Sequence, residues 1–502
     1  MTSTLTNRCP YDASGHWRGI KAVPSQVETT QTGLTTALRA NGPRSGIPHV
    51  LIALPSFSVG ESLLEHYGDR IPSLEHRYLL AMTMLGRLES CELVFVCSVA
   101  PSQEVLEYYF SLIHPDRRND ARARFHLLEV ADRSSRPLAA KLLDRPEKLA
   151  ELQAVVAGRP ALIEPWNVAV PEMQLGERLG IPINGTPLEL WPLGFKSAGR
   201  RLLREGGLPV PEGDEDLHSV EQVLAAIEKI RSRRPDAPGV VIKTDDSGAG
   251  DGNRVLRFAD VPDPEAFVAG LPAWYLAELT QGCIVEELIA GTGFASPSVQ
   301  IDLRPGGHWQ VLATHEQVTG GADSQVYLGC RFPAAQAYAP RLGRYANAIA
   351  ALLVNRGLLG RVSVDFAASA SGGSWDLYAL ELNLRKGGTT HPYAALRNLV
   401  PGRYDVCRAR WLADDGSSRY YESTDNLLAD VWRGRPPSSV VAAIDAAGLG
   451  FDPVTRVGVL LHMLSGLAID GRIGLTAIGT SRHQASQFFA SAVDTLGADS
   501  PS

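Results

Sequence analysis

Lysine is scarce in this chain. Of the 48 basic residues among 502, seven are lysine: Lys21, Lys141, Lys148, Lys196, Lys229, Lys243 and Lys386. Where arginine is the default cation, a lysine inside a strand or at a loop mouth points to a need for a compact ammonium rather than a planar fork. Lys196, Lys243 and Lys386 occupy such places. Cysteine is thin as well: six residues, scattered, with no C-x-x-C pair. That argues against zinc or a disulfide framework and fits a reducing cytoplasm. No run of about 18 apolar residues occurs, so no membrane span is expected. Met1 to Pro10 lacks the apolar stretch of a secretory leader. A basic excess is missing too; the net charge of −7 and pI near 6.0 speak against nucleic acid as the main partner.

What is present is ordinary globular composition, 44% apolar and 21% charged, over a length that calls for two to four units with large cores. Residues 1–47 carry no periodic pattern and read as a loosely held arm. From His49 onward, short apolar runs at 49–54, 92–97, 125–130 and 161–165 alternate with helical stretches. This is the signature of a parallel sheet with covered faces, here spanning 48–190. The second region, 191–402, opens with a helix over 196–205 and another over 220–231. Strands follow at 240–243, 254–258 and 284–289, then a meander at 298–302 and 309–314 and a helix at 342–355. Residues 403–502 form a C-terminal unit ending in a helix over 482–496.

The densest chemistry lies in Glu381-Leu382-Asn383-Leu384-Arg385-Lys386-Gly387-Gly388, with Asp365 sixteen residues earlier. The spacing predicts a hairpin: strand 361–366, a turn at 369–374, and strand 375–383. Alternation then sends Glu381 and Asn383 to one face while Leu380, Leu382 and Leu384 point into a core. Asp365 on the neighbouring strand joins them, giving a cluster of hard oxygen ligands suited to Mg²⁺, with phosphate and water completing the shell. Arg385 and Lys386 bring cations to the same place. An isolated E-x-N would be a solvated acid and amide on an edge strand. The second acid, the basic pair and the Gly-Gly turn favour the metal reading.

Thr244 to Asn253 holds three glycines between two strands, so its backbone N–H groups are free to approach phosphate. It is not a Walker A loop, nor a dinucleotide fingerprint, since a strand rather than a helix follows.

Together these parts resemble an ATP-grasp ligase over residues 190 to 400, preceded by that family's usual α/β domain. The resemblance implies Lys196 and Lys243 as nucleotide lysines and Ser247, Gly248, Gly250 and Gly252 as the phosphate loop. It implies a hinge at Glu286, Glu287 and Ile289, with the backbone of Glu287 and Ile289 on the adenine edge. Asp365, Glu381 and Asn383 match its metal ligands, for Mg²⁺ with Mn²⁺ as an allowed substitute. Arg385 and Lys243 match its catalytic cations. No acid follows the hinge at Gly291-Thr292-Gly293 to hold ribose. Where many members carry a late γ-phosphate lysine, this chain has Thr314-His315-Glu316-Gln317, with Arg331 as a stand-in.

Substrate contacts expected from this frame are His315, Glu316, Arg331, Lys386 and His391, around a wide cleft lined by 314–331 and 385–393. The implied reaction is ATP-dependent amide formation through an acylphosphate, without nucleic acid or membrane. The segment 381–392 and the tail from Asp452 to Gly479 are similar to the peptide-ligase subfamily of the pheganomycin pathway. Its members join an unusual amino acid to the amino end of a peptide. The alternatives are a ligase making dipeptides or small amides and a non-catalytic nucleotide binder. Oligomeric state is left open, a homodimer included.

Overall fold

The computed structural model describes residues 33–42, 45–59, 61–247, 252–261, 263–291, 293–320, 326–428 and 430–497. Strands β1 (His49–Leu54), β2 (Cys91–Cys97), β3 (Phe125–Glu129) and β4 (Ala161–Pro165) form a parallel sheet in the order β3-β2-β1-β4. β1 is buried at every residue, as expected when both faces are covered. Residues 33–40, expected to belong to a loose arm, are helical instead. Leu34, Ala37 and Ala40, three apart, are buried on one helix face, and packing thus overrides an unremarkable local pattern. Residues 1–32 lie outside the described chain.

A second sheet contains β5 (Gly213–Leu217), β6 (Gly239–Thr244), β7 (Asn253–Arg257) and β8 (Cys283–Glu287), antiparallel in the order β5-β8-β6-β7. Val240, Ile242 and Val285 turn one face onto the helix Val220–Arg233, through its Val223, Ile227 and Ile230. The alternate residues Lys243 and Glu286 therefore share the opposite face.

The third sheet has ten strands: β9 (Phe294–Arg304), β10 (His308–Gly320), β11 (Val326–Phe332), β12 (Gly360–Ser371), β13 (Ser374–Asn383), β14 (Gly402–Asp405), β15 (Arg410–Ala413), β16 (Ser418–Leu428), β17 (Gly458–His462) and β18 (Arg472–Gly479). Its main path is β13-β12-β9-β10-β11-β16-β15-β14, and β18 joins β16 to β17. The expected boundary at 402/403 is no break in this sheet, because β16 pairs with β11 across it. The C-terminal residues Val459, Leu461 and Leu475 also share a core with Leu51, Leu93 and Phe95 of the first sheet. Among the described residues, no helix is long and apolar enough to cross a membrane.

The hairpin β12–β13 forms as the spacing predicts, but its turn is tighter, two residues at Gly372-Gly373 with φ of 55° and 83°. Positive φ at both positions is what glycine supplies in such a turn. The pairing slips between Asp365/Glu381 and Phe366/Ala379, leaving Leu380 as an extra residue. This bulge resets the alternation. Leu377 and Ala379 face the core before it, and Leu382 and Leu384 after it. Leu380 itself is only half-buried, contrary to the expectation that it points inward. Without the slip, Glu381 would share the face of Ala379 and enter the core.

Candidate active site

The helix Lys196–Glu205 crosses between the second and third sheets and carries a cation to each. Lys196 Nζ donates to Glu381 Oε1 at 2.7 Å and to the Ser247 carbonyl at 2.8 Å. One turn further on, Arg200 meets Glu286 at 2.6 Å, and Lys243 binds the other oxygen of that carboxylate at 2.5 Å. Asp245 fixes the start of the helix, accepting from the Ser197 amide at 2.9 Å and its hydroxyl at 2.7 Å. Lys196, Ser247, Glu381, Asn383 and Arg385 line one cleft, with Asp245, Asp246 and Trp191. Gly252 returns so close to Ser247 that a Cβ there would strike its hydroxyl. Gly248 and Gly250 lie outside the described residues.

Asp365 stands directly opposite Glu381 in the hairpin register. Its oxygens accept from Gln317 at 2.7 Å and Asn383 at 2.9 Å. Burial, followed by repulsion from Glu381, pushes the Asp365 carboxyl up to about 6. Glu381 goes the other way: burial would raise it, but Lys196, Lys243 and Arg385 together hold it below its ordinary value. Two crowded carboxylates beside an amide form an oxygen donor set that suits a hard divalent cation. Among the described residues no three of His, Cys, Asp or Glu converge. A metal here therefore rests on these two acids and Asn383, with phosphate and water supplying the rest. Arg385 lies over the Trp166 ring, 4.8 Å from its centroid, so the first α/β unit closes this end of the cleft.

Several expected contacts fall elsewhere. His315 is fully buried, bonded to the Tyr421 hydroxyl at 2.7 Å beside Phe332, and burial lowers it to about 3. It is a core residue. Glu316 faces away, accepting from the Ala335 amide at 2.8 Å and from Tyr338. Arg331 pairs with Glu422 at 2.9 Å. Lys386 is drawn into a buried pair with Glu164 at 2.7 Å, tying β4 to the end of β13. His391 is buried against Tyr78, 4.6 Å between ring centroids, on the far side of the Gly387-Gly388 turn. At the hinge, whose backbone at Glu287 and Ile289 is expected on the adenine edge, the Glu287 N–H is donated to the Glu212 carbonyl at 2.8 Å. Its carboxylate lies 3.2 Å from Arg234. Ile289 follows half-buried where the strand leaves the sheet.

Arg200, Trp166 and Gln317 complete the site without having been singled out from sequence. Gln317 carried the one available signal, since it falls on the strand where a polar residue replaces the missing lysine.

The fold is that of ATP-grasp ligases. The structure resembles the ADP complex of N5-carboxyaminoimidazole ribonucleotide synthetase with a TM-score of 0.51 and 15% identity, covering 89% of this chain and 96% of that one. It resembles the biotin carboxylase domain of 2-oxoglutarate carboxylase from Hydrogenobacter thermophilus, crystallised with ADP, its magnesium salt and bicarbonate, with a TM-score of 0.54. There identity is 14% and 90% of each chain is covered. In sequence, the chain is 30% identical over 469 residues to L-propargylglycine--L-glutamate ligase of Streptantibioticus cattleyicolor, covering 90% of this chain and 95% of the relative. A family model described as PGM1 C-terminal domain matches residues 439–490, which takes in the whole tail segment from Asp452 to Gly479. The chain belongs to the ATP-grasp ligase family that includes the propargylglycine–glutamate enzyme, and is an enzyme of that type.

Proposed function

We propose that this chain uses ATP to join an amino acid, through its carboxylate, to the amino group of a second amino acid or of a short peptide presenting one. The observation that carries this reading is the convergence of Asp365, Glu381 and Asn383 with Lys196 and Arg385 around one cleft. Lys196 and Lys243 bind the phosphates, and the hinge at 286–289 borders the base. Asp365, Glu381 and Asn383 would hold Mg²⁺, with Mn²⁺ as a substitute, which when bound would supply charge neutralisation at the phosphates. Arg385 steadies the donor carboxylate as it attacks the γ-phosphorus. ADP leaves, and the acylphosphate then loses inorganic phosphate to the incoming amine. Placement and charge neutralisation are the protein's share.

An acceptor of amino-acid size is supported by two observations. The relative's name couples two single amino acids. Thr314, His315, Lys386, Thr389, Thr390 and His391, expected to border a wide cleft, are all buried. A matrix of amino acids and short peptides, assayed for ADP, tests the reading: ADP should appear only with a donor and an acceptor together. Acceptor length then separates the amino acid from the peptide. ATP binding without turnover anywhere in the matrix would leave a nucleotide-binding protein.

A further inference from the structure

Beyond Arg385, across the Gly387-Gly388 turn, lies a polar recess that the roles above do not use. Arg77, on the segment Arg77–Gly86, forms an ion pair with Asp425 of β16. Their side chains keep 14% and 11% of their surface although Tyr78, His391, Thr424 and His462 around them are buried. The pair is therefore not sealed from solvent. Two further polar atoms, the Tyr78 hydroxyl and His391 Nε2, have no hydrogen-bond partner, and both residues are only 5% exposed. Groups buried in this way are normally satisfied, so such a cluster calls for a polar occupant.

The recess adjoins the reaction centre. His391 touches Tyr78, the Lys386 ammonium sits 5.9 Å over the same ring, and a Cβ on Gly388 would strike Tyr327.

We propose that Arg77 and Asp425 form the subsite for a free α-amino-acid head group of one substrate, Arg77 taking its carboxylate and Asp425 its ammonium. Side-by-side opposite charges match a zwitterion, and a guanidinium presents its donors in the plane a carboxylate needs. Asp425 Oδ1 is 3.5 Å from His462 Nδ1, beyond a good hydrogen bond, and is available to an ammonium. The neutral Tyr78 and His391 add polar contacts without a competing charge. The assignment of the ligand as an amino acid rests on the ligase reading. The bland alternative is a cross-tie holding the first α/β unit to β16.

The test is thermal denaturation of the full chain with Mg²⁺ and a non-hydrolysable ATP analogue. The twenty common L-amino acids are added one at a time, followed by the decarboxylated and deaminated analogues of any that bind. At least one amino acid should raise the midpoint by a few degrees at saturation, and neither analogue should. Arg77→Gln and Asp425→Asn should each abolish that shift while keeping the nucleotide's own. Should either variant fail to fold, the analogue series on the unaltered chain still decides. An amino-acid shift that survives both variants, or one reproduced by the analogues, would overturn the subsite. So would a nucleotide shift with no response to any amino acid, leaving a cross-tie and waters only. Loss of the nucleotide shift itself would instead count against the ligase reading.

Discussion

Lys196 and Glu381, 185 positions apart, meet at 2.7 Å, so a cation expected at phosphate neutralises a carboxylate expected at metal. With the ammonium beside it, Glu381 stays below its ordinary range despite burial. Lys196 holds only one of the two carboxylate oxygens, so under the proposed roles phosphate would compete for the ammonium and the cation for the carboxylate. Nucleotide and metal binding would then be linked through this pair.

Glu381→Gln keeps the shape and a hydrogen-bond acceptor but removes the charge. Asn383→Ala removes the amide beside Asp365. Each is expected to cost about a thousandfold in turnover, the loss of one metal-site group, and Glu381→Gln should also lower the thermal midpoint because Lys196 keeps a buried charge without its carboxylate. Steady-state kinetics at saturating Mg²⁺ check this; near-normal turnover would sink the metal assignment.

Arg385→Lys retains charge and loses the planar contact over Trp166. Turnover is expected to drop far more than ATP affinity. Trp166→Phe, which keeps an aromatic face, should preserve most activity, whereas Trp166→Leu should behave like the lysine variant. Separate measurement of kcat and of nucleotide Kd distinguishes these outcomes from general misfolding.

Glu286 is shared by Arg200 and Lys243, all three buried. Glu286→Gln strands two cations and should destabilise the chain by about 3–5 kcal/mol. Adding Arg200→Met should recover part of that loss. Urea denaturation of the single and double variants is the check, and additive losses would contradict a shared carboxylate.

His315 supplies the pH dependence. Its folded-state value near 3 lies below the ordinary 6.5, chiefly through burial. The neutral ring therefore contributes stability that is complete above pH 6.5 and is lost as pH falls toward 3, by about 1.4 kcal/mol per unit. His315→Phe should be slightly less stable at pH 8, where the Tyr421 hydroxyl loses its partner, and should close the gap by pH 5. Its turnover should stay within a few-fold of the parent. A collapse of activity would return His315 to the substrate site.

Much of this was legible in the sequence because local patterns coincide with the fold. The four parallel strands, the helices at 196–205 and 482–496, and the pairing of Asp365 with Glu381 all follow from spacing. The bulge at Leu380 was not, since a one-residue slip leaves no mark in an alternating strand. Lys386 was misplaced because a polar residue near a motif looks the same whether it meets substrate or a buried partner. Glu164, which claims Lys386, lies 222 positions away. The union of β16 with β11 was hidden for the same reason, as were Trp166 and Arg77.

The central claim is that a carboxylate attacks the γ-phosphorus of ATP, and isotope transfer reads that step directly. With a donor amino acid labelled with ¹⁸O in its reacting carboxylate, each turnover should deliver one labelled oxygen to inorganic phosphate and leave ADP unlabelled. Label appearing in AMP, or unlabelled phosphate released alongside product, would contradict an acylphosphate ligase.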